Sequence, residues 1–252
     1  MPRLGGRGLL ELMQKELPEE LQVGRDTLFD FMRKNHLLVR ARKYRVRTTF
    51  SNHWLHKYPN LIKDFISMAP NQLWVSDITY IETAQGFVYL FLITDAYSRK
   101  ILGWCVSETL EASNALKALH MALNQLPANI TNVIHHSDRG VQYCSYKYVK
   151  MLKKNQFLIS MTEDGDPLDN PIAERVNGIL KDGWLIDMKL KSSRQAHSHI
   201  KRIISIYNTI RPHSSVDMHT PDQAHKLSGP LKRRWKNYRK NNRKQQLQAK
   251  EL

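Results

Sequence analysis

Asp77, Asp138 and Glu174 are three carboxylates whose placement along this 252-residue chain could support phosphodiester chemistry. Asp77 lies within a strand-like run, on the face shared by Leu73, Val75, Thr79 and Ile81. Asp138 closes the apolar stretch Asn132-Val-Ile-His-His-Ser-Asp138, and Glu174 falls in the first turn of a helix that Asn170-Pro171 can start. Singly, each has an ordinary reading: a hydrogen-bonded strand aspartate, a strand-end residue, and an acid stabilised by the positive end of a helix dipole. Sixty residues lie between the first two and thirty-five between the second and third. Three carboxylates converging from such separations would suit two Mg²⁺ ions about 3.5–4 Å apart, one activating a nucleophilic oxygen and the other stabilising the leaving oxygen. Ionised carboxylates repel one another, so without cations the cluster is costly and one member tends to protonate. Metal binding should therefore stabilise the fold.

The elements that must position these residues can be read from periodicity. Strand-like runs at 73–81, 87–94 and 100–107 are joined by the short polar connections Glu82-Thr-Ala-Gln-Gly86 and Asp95-Ala-Tyr-Ser-Arg99, which predicts an antiparallel meander. A helix over 113–126 stops at Pro127, a strand follows at 132–136, a helix at 146–155 and a strand at 157–161. A Gly/Asp/Pro loop at 163–169 then leads to the helix at Asn170-Pro171. Three strands followed by helix, strand, helix, strand, helix predict an α/β layered domain with a mixed sheet. Residues 1–67 form a small helical and basic module with a linker. In it, Asp26 or Thr27 is expected to cap a helix whose residues 28, 29, 31 and 32 face inward. That helix reads equally well as the last helix of a helix-turn-helix or as a plain packing helix. The catalytic core is assigned to 68–230, and the last 22 residues, 231–252, hold nine Lys or Arg and one acid, as a basic tail would.

Composition narrows the partner. The chain carries 39 Lys and Arg against 23 Asp and Glu, a formal charge of +16, which calls for a polyanion. The longest apolar run, 87–93, is only strand-sized, and the N-terminus lacks the uninterrupted apolar stretch of a signal peptide, so a cytoplasmic protein with no membrane partner is expected. Cys105 and Cys144 have no Cys-x-x-Cys partner and read as core residues. No Gly-x-Ser-x-Gly turn or Gly-rich phosphate loop is present, so neither a serine hydrolase nor a nucleoside triphosphate site is expected.

Four ordered motifs carry a resemblance to a known family. Trp74-Val-Ser-Asp77-Ile-Thr-Tyr-Ile81, His136-Ser-Asp138-Arg-Gly-Val-Gln-Tyr143, Asn170-Pro-Ile-Ala-Glu174-Arg-Val-Asn-Gly-Ile-Leu-Lys181, and Tyr207-Asn208-Thr-Ile-Arg211-Pro212-His213 with Thr220-Pro221, resemble bacterial insertion-sequence transposases with a retroviral-integrase core. The third insertion-sequence family, within the DDE superfamily, is the nearest match, over residues 48–225. The resemblance implies a ribonuclease H-like mixed five-stranded sheet flanked by helices. It also implies metal-dependent cutting of element ends and joining of the freed 3′-hydroxyl to another phosphodiester, with no covalent protein intermediate. Asp77, Asp138 and Glu174 match the family's metal-binding triad, for two Mg²⁺ with Mn²⁺ as a substitute. Double-stranded DNA and at least a homodimer on that DNA are the implied partners. The family's extended N-terminal helix-turn-helix region, often supplied by frameshifting, is represented here by a short piece, and the His/Cys zinc module of retroviral integrases lacks its cysteine pair.

With that assignment the candidate DNA contacts are Lys181, Arg139, Arg175, Asn177, Arg211 and His213 near the motifs, and Arg40, Arg42, Lys43, Arg45 and Arg47 in the basic arm. Lys181 follows Glu174 by seven residues, so on a helix the two point within about 20° of each other, about 10.5 Å apart along the axis. Gly178 between them leaves room for a DNA backbone. His135, His136 and His213 could be ligands or a general base, but more often such histidines are hydrogen-bonded or phosphate-contacting. Tyr143 and Trp184 could stack on unpaired bases, with core packing the default. Two other functions stay open on sequence: a structure-selective nuclease on the same fold, which would not join ends, and a non-catalytic DNA-binding remnant.

Overall fold

A computed structural model describes residues 3–39, 53–163 and 170–234. The basic arm with Arg40, Arg42, Lys43, Arg45 and Arg47, most of the loop before Asn170 and all but the first four residues of the tail lie outside the described residues.

Strands β1 (Leu73–Thr83), β2 (Gly86–Asp95) and β3 (Ile101–Ser107) form the expected meander. The β1–β2 turn closes on two residues, Ala84 and Gln85, and Gly86 at φ 112° takes a conformation few other residues tolerate. Thr83 Oγ1 donates to Gly86 O at 2.7 Å and fixes the register. Strands β4 (Ile134–Ser137) and β5 (Leu158–Met161) add in parallel to β1, giving the order β3-β2-β1-β4-β5. This is the mixed five-stranded sheet expected from the element order. Residue 132 does not begin a strand; Asn132 has φ 57° and turns the chain into β4 two residues later.

Side-chain alternation splits the core in two. Trp74, Phe91, Ile93 and Leu102 face helices α3 (Ala112–Leu123) and α5 (Tyr146–Lys154). Ile81, Leu90 and Leu92 face α6 (Pro171–Gly183) and α7 (Ser193–Thr209). Burial on both faces explains why β2 reads as an unbroken apolar run rather than an alternating one. Gly103 is required where α3 crosses β3, because a Cβ there would stand 2.0 Å from Ala118 O. The 17-residue helix α7 is an addition to the elements expected from sequence, although its buried Ala196, Ile200, Ile203, Ile204 and Tyr207 follow helical spacing.

The N-terminal module contains α1 (Gly6–Glu16) and α2 (Arg25–Lys34). Two expectations are corrected in this module. Helix α2 starts after Gly24 with no side-chain cap, so neither Asp26 nor Thr27 caps it, and Phe31 is 57% exposed while only Leu28 and Met32 are buried. The small helices α4 (Val141–Cys144) and α8 (Pro221–Ala224) complete the described α-helices, α8 opening on a Thr220–Gln223 capping box. Cys144 is buried and Cys105 half-buried, both free thiols.

Candidate active site

Strand register brings the first two carboxylates together. Val75 pairs with His136 across the parallel β1–β4 ladder, so two residues on, Asp77 stands opposite Asp138, which follows the last residue of β4. Neighbouring strands lie about 4.8 Å apart. Both aspartates share the face of Leu73, Val75 and Ile134, which packs on Ala173 of α6. Beyond Asp138 the chain turns sharply, with Gly140 N donating to Asp138 Oδ1 at 3.0 Å. A Cβ at Gly140 would meet that same oxygen at 2.9 Å, so the glycine keeps the carboxylate's room.

Helix α6 is docked over Asp77 by two asparagine amides. Asn170 occupies the N-cap position but caps nothing; its Nδ2 reaches across to Ser76 O at 3.0 Å. Asn177 Nδ2 donates to Asp77 Oδ2 at 2.6 Å, while Ile78 N donates to Oδ1 at 2.8 Å. Asn170, Glu174, Asn177 and Lys181 follow the i, i+4, i+7, i+11 spacing of one helical stripe, which turns toward Asp77. Asn177, expected as a DNA contact, is 5% exposed and bonded to Asp77, the placement of a residue that could orient a carboxylate. The polar stripe on an otherwise apolar helix was the signal that could have revealed it.

Electrostatics bind the group together. Burial, then the neighbouring charge of Asp138, pushes the Asp77 carboxyl up to about 7, with Asn177 and the Ile78 amide pulling it down and Glu174 adding a smaller upward push. Two half-buried carboxylates held side by side are what a hard cation would relieve. Among the described residues no three His, Cys, Asp or Glu side chains already converge on one ligand point. Asp77 and Asp138 are the juxtaposed pair, and Glu174 is exposed on the first turn of α6. The donor set fits a divalent metal in chemistry, and Glu174 would have to close in to join Asp77 and Asp138 as a ligand.

The other candidates fall into place around this pair. His135 is buried with Nε2 between Ser76 Oγ at 2.7 Å and Tyr148 OH at 2.9 Å, and burial drives its pKa down to about 3, so it is a neutral core residue. His136 Nδ1 bonds Ser160 Oγ at 2.8 Å. Tyr143 and Trp184 are buried in the two cores, which excludes both from base stacking. Arg139 is half-buried beside Asp138, its carbonyl accepting from His53 Nε2 at 2.7 Å. Lys181 is half-buried with Nζ 4.1 Å from the centre of the Tyr80 ring, a cation–π pairing that sequence alone does not reveal. Its ammonium is pulled down by burial and supported by Asp182 and Asp77, so it lies within electrostatic reach of the carboxylates. Gly178 has open space around it, as expected. Arg175 is exposed, Arg211 half-buried, and His213 buried at 6% exposure.

Residues 67–167 match the integrase core domain family, and residues 155–221 match a second integrase core domain family. The chain is 37% identical over 213 residues to the insertion element IS600 uncharacterized 31 kDa protein of Shigella sonnei, covering 83% of this chain and 78% of that one. It is 34% identical to the transposase for insertion sequence element IS904 of Lactococcus lactis, covering 68% of each. The chain belongs to the insertion-sequence transposases. A match to the Shigella sonnei IS629 transposase, 37% identical, covers 69% of this chain and takes in 58% of that relative's length. Among solved structures, the HTLV-2 integrase catalytic core, in complex with magnesium, superposes with a TM-score of 0.50 at 18% identity, over 64% of this chain and 99% of that one. A simian T-cell lymphotropic virus intasome chain gives 0.54 at 14% identity, over 88% and 77%. These likenesses give the transposase a ribonuclease H-like integrase fold with the third insertion-sequence family as its nearest group. Transposases of this family act on DNA as polynucleotidyl transferases of the DDE type. Among the described residues no helix is long and apolar enough to cross a membrane.

Proposed function

We propose that this chain cuts the ends of an insertion sequence and joins them to target DNA, with Asp77, Asp138 and Glu174 holding two Mg²⁺ ions that Mn²⁺ can replace. The observation that carries the reading is the juxtaposition of Asp77 and Asp138 across β1 and β4, with Asn177 fixing the first. Bound Mg²⁺ supplies Lewis acidity at the attacked phosphate and lowers the pKa of the attacking oxygen. The chain's own part is positional. Asn177 and Ile78 N hold the two oxygens of Asp77, Gly140 N holds one oxygen of Asp138, and α6 carries Glu174 to the rim. Lys181, steadied on Tyr80, stands ready for a phosphate near the scissile bond. Double-stranded DNA is the substrate, met by a homo-oligomer of at least two chains in the cytoplasm; a magnesium-bound integrase core and an intasome among the structural neighbours support that assignment. The division into a module at 1–67, a core at 68–230 and a basic tail at 231–252 follows, with the basic arm and tail binding phosphates without reading sequence.

The test is a joining assay with duplexes that end in the element's own termini, in Mg²⁺. Covalent attachment of a 3′-hydroxyl end to a second duplex is expected. Hydrolysis without joining would replace the transposase reading by a nuclease, and DNA binding with no metal-dependent cleavage would replace it by a binding remnant.

A further inference from the structure

The C-terminal signature has a structural role that leaves an unusual charge imbalance behind. Tyr207 OH donates to Arg99 O at 3.1 Å, and the Asn208 side chain clamps Ile101, accepting from its N at 3.0 Å and donating to its O at 2.9 Å. Helix α7 is thereby locked onto the turn between β2 and β3. At the tip of that turn Arg99 sits at φ 68°, a left-handed conformation seldom taken by a side chain of its size. Its Nε donates to Ser215 Oγ at 3.3 Å, and the same Ser215 hydroxyl lies 2.7 Å from His213 Nδ1.

Two donors in this cluster have no acceptor among the described residues. His213 Nδ1 accepts from Ser215 N, so the ring proton of the neutral imidazole resides on Nε2. That Nε2 is buried without a partner, and so is Arg99 Nη1. Buried donors are rarely left unpaired, and such groups call for an explanation. The surroundings give one. The charges of Arg99, Arg175 and Arg211 all bear on His213, and Arg175 also bears on Arg211; burial first, and then these charges, hold the His213 imidazole down at about 3. Asp95 is the carboxylate whose charge reaches Arg99. Both its oxygens are occupied: Oδ1 accepts from Ser98 N and Oγ, each at 2.8 Å, and Oδ2 accepts from Asn71 N at 2.7 Å. The guanidinium of Arg211 donates to the carbonyl of Pro212, at a long 3.3 Å.

We infer that Arg99, Arg175, Arg211 and His213 form a phosphate pocket for the DNA strand, one residue along α6 from Glu174. Guanidinium groups take phosphate oxygens in paired hydrogen bonds, and the His213 Nε2–H and Arg99 Nη1 donors are the ones an anionic oxygen would satisfy. Arg175 follows Glu174 on α6, so the two side chains leave the same turn of that helix about 100° apart, toward neighbouring faces. The pocket deepens the transposase reading and rests on it for the identity of the anion, but not for its existence.

The experiment uses the full chain carrying Asp138→Asn, so that binding is read without turnover, and a short duplex of arbitrary sequence. The affinity is measured against salt concentration for this protein and for added Arg211→Gln, Arg175→Gln and Arg211→Lys. Each charge-removing variant is expected to flatten the slope of log K against log salt by about 0.9 for every phosphate it no longer neutralises, and Arg211→Lys to keep most of the slope. In parallel, thermal unfolding is followed in sodium phosphate against sodium chloride at equal ionic strength. Phosphate should raise the melting temperature of the unsubstituted chain and lose that effect in Arg211→Gln. Stabilisation by phosphate with an unchanged salt slope would make this a site for free anions and overturn the DNA assignment. An absence of both effects would overturn the pocket. If Arg211→Gln does not fold, Arg175→Gln at its exposed position carries the same test. Failure of wild-type chain to join ends, with the slopes behaving as expected, would sink the transposase reading and leave the pocket standing.

Discussion

Two neighbouring residues of helix α6 serve regions of opposite character. The charge of Glu174 reaches Asp77, whose pKa is raised by burial first and by the neighbouring carboxylates second. The charge of Arg175 reaches His213, where guanidinium groups crowd around donors that lack acceptors among the described residues. The acidic region suits a divalent cation and the basic region a phosphate. A DNA strand with its metal ions supplies both at once.

The comparison breaks most severely at the carboxylates. Asp77→Asn, Asp138→Asn and Glu174→Gln each remove a charged ligand at nearly constant volume, so cutting and joining should fall to background while DNA binding survives. Retention of near-normal joining in Mg²⁺ by any one of them removes that residue from the triad. Loss of DNA binding would mean that the two regions are not independent.

The pH dependence sharpens the same contrast. The Asp77 carboxyl stands at about 7 in the folded protein, against an ordinary aspartate value near 3.9 in the unfolded chain. The fold thus favours its uncharged form. Metal-free stability should be full below about pH 4 and fall as pH rises through about 7. Thermal melts from pH 4 to pH 8 should show that decline in the metal-free protein, a shallower one in Asp77→Asn, and recovery on adding Mg²⁺ at the upper end. A melting temperature indifferent to Mg²⁺ at pH 8 would contradict the crowding.

A smaller effect is expected at Asn177. Removing the group that orients a ligand costs about 10–100-fold in metal affinity or activity in comparable sites. Asn177→Ala should show that loss in Mg²⁺ titrations followed by melting temperature, with the salt dependence of DNA binding unaltered. If Asn177 were instead a DNA contact, the salt dependence would change and the Mg²⁺ titration would not.

Lys181 marks the mildest break. Lys181→Ala should weaken end binding and strand transfer by several-fold, as expected for a single phosphate partner, and leave the stabilisation by metal intact; Lys181→Arg should recover part of the binding. Disappearance of the metal effect would show that its stacking on Tyr80 supports the fold instead.

The two regions also differ in how far the sequence reveals them. Asp77, Asp138 and Glu174 can be picked out because each sits at a strand or helix position set by short-range periodicity and within a motif that resembles the family's triad, whereas the β1–β4 register that sets Asp77 opposite Asp138 comes from the structure. The Arg99 pocket depends on where α7 lands, a tertiary fact. Arg99 reads as an ordinary turn residue, and α7 escapes notice because its many polar residues mask the buried positions Ile200, Ile203, Ile204 and Tyr207. Asn177 lies in plain view in the third motif, but only the 2.6 Å bond to Asp77 separates a ligand-orienting role from a DNA contact. Likewise Asp26 and Thr27 are good capping residues by type, and the helix simply begins ahead of them, at Arg25.

The central claim, that Asp77 and Asp138 form a divalent metal site which Glu174 completes, is tested most directly by anomalous diffraction from crystals of the chain soaked in Mn²⁺. The account predicts an anomalous peak between the Asp77 and Asp138 carboxylates, with the Glu174 side chain drawn in to the ion and the peak absent in Asp138→Asn. Well-ordered side chains with no peak at that position, or a peak that persists in Asp138→Asn, would contradict it.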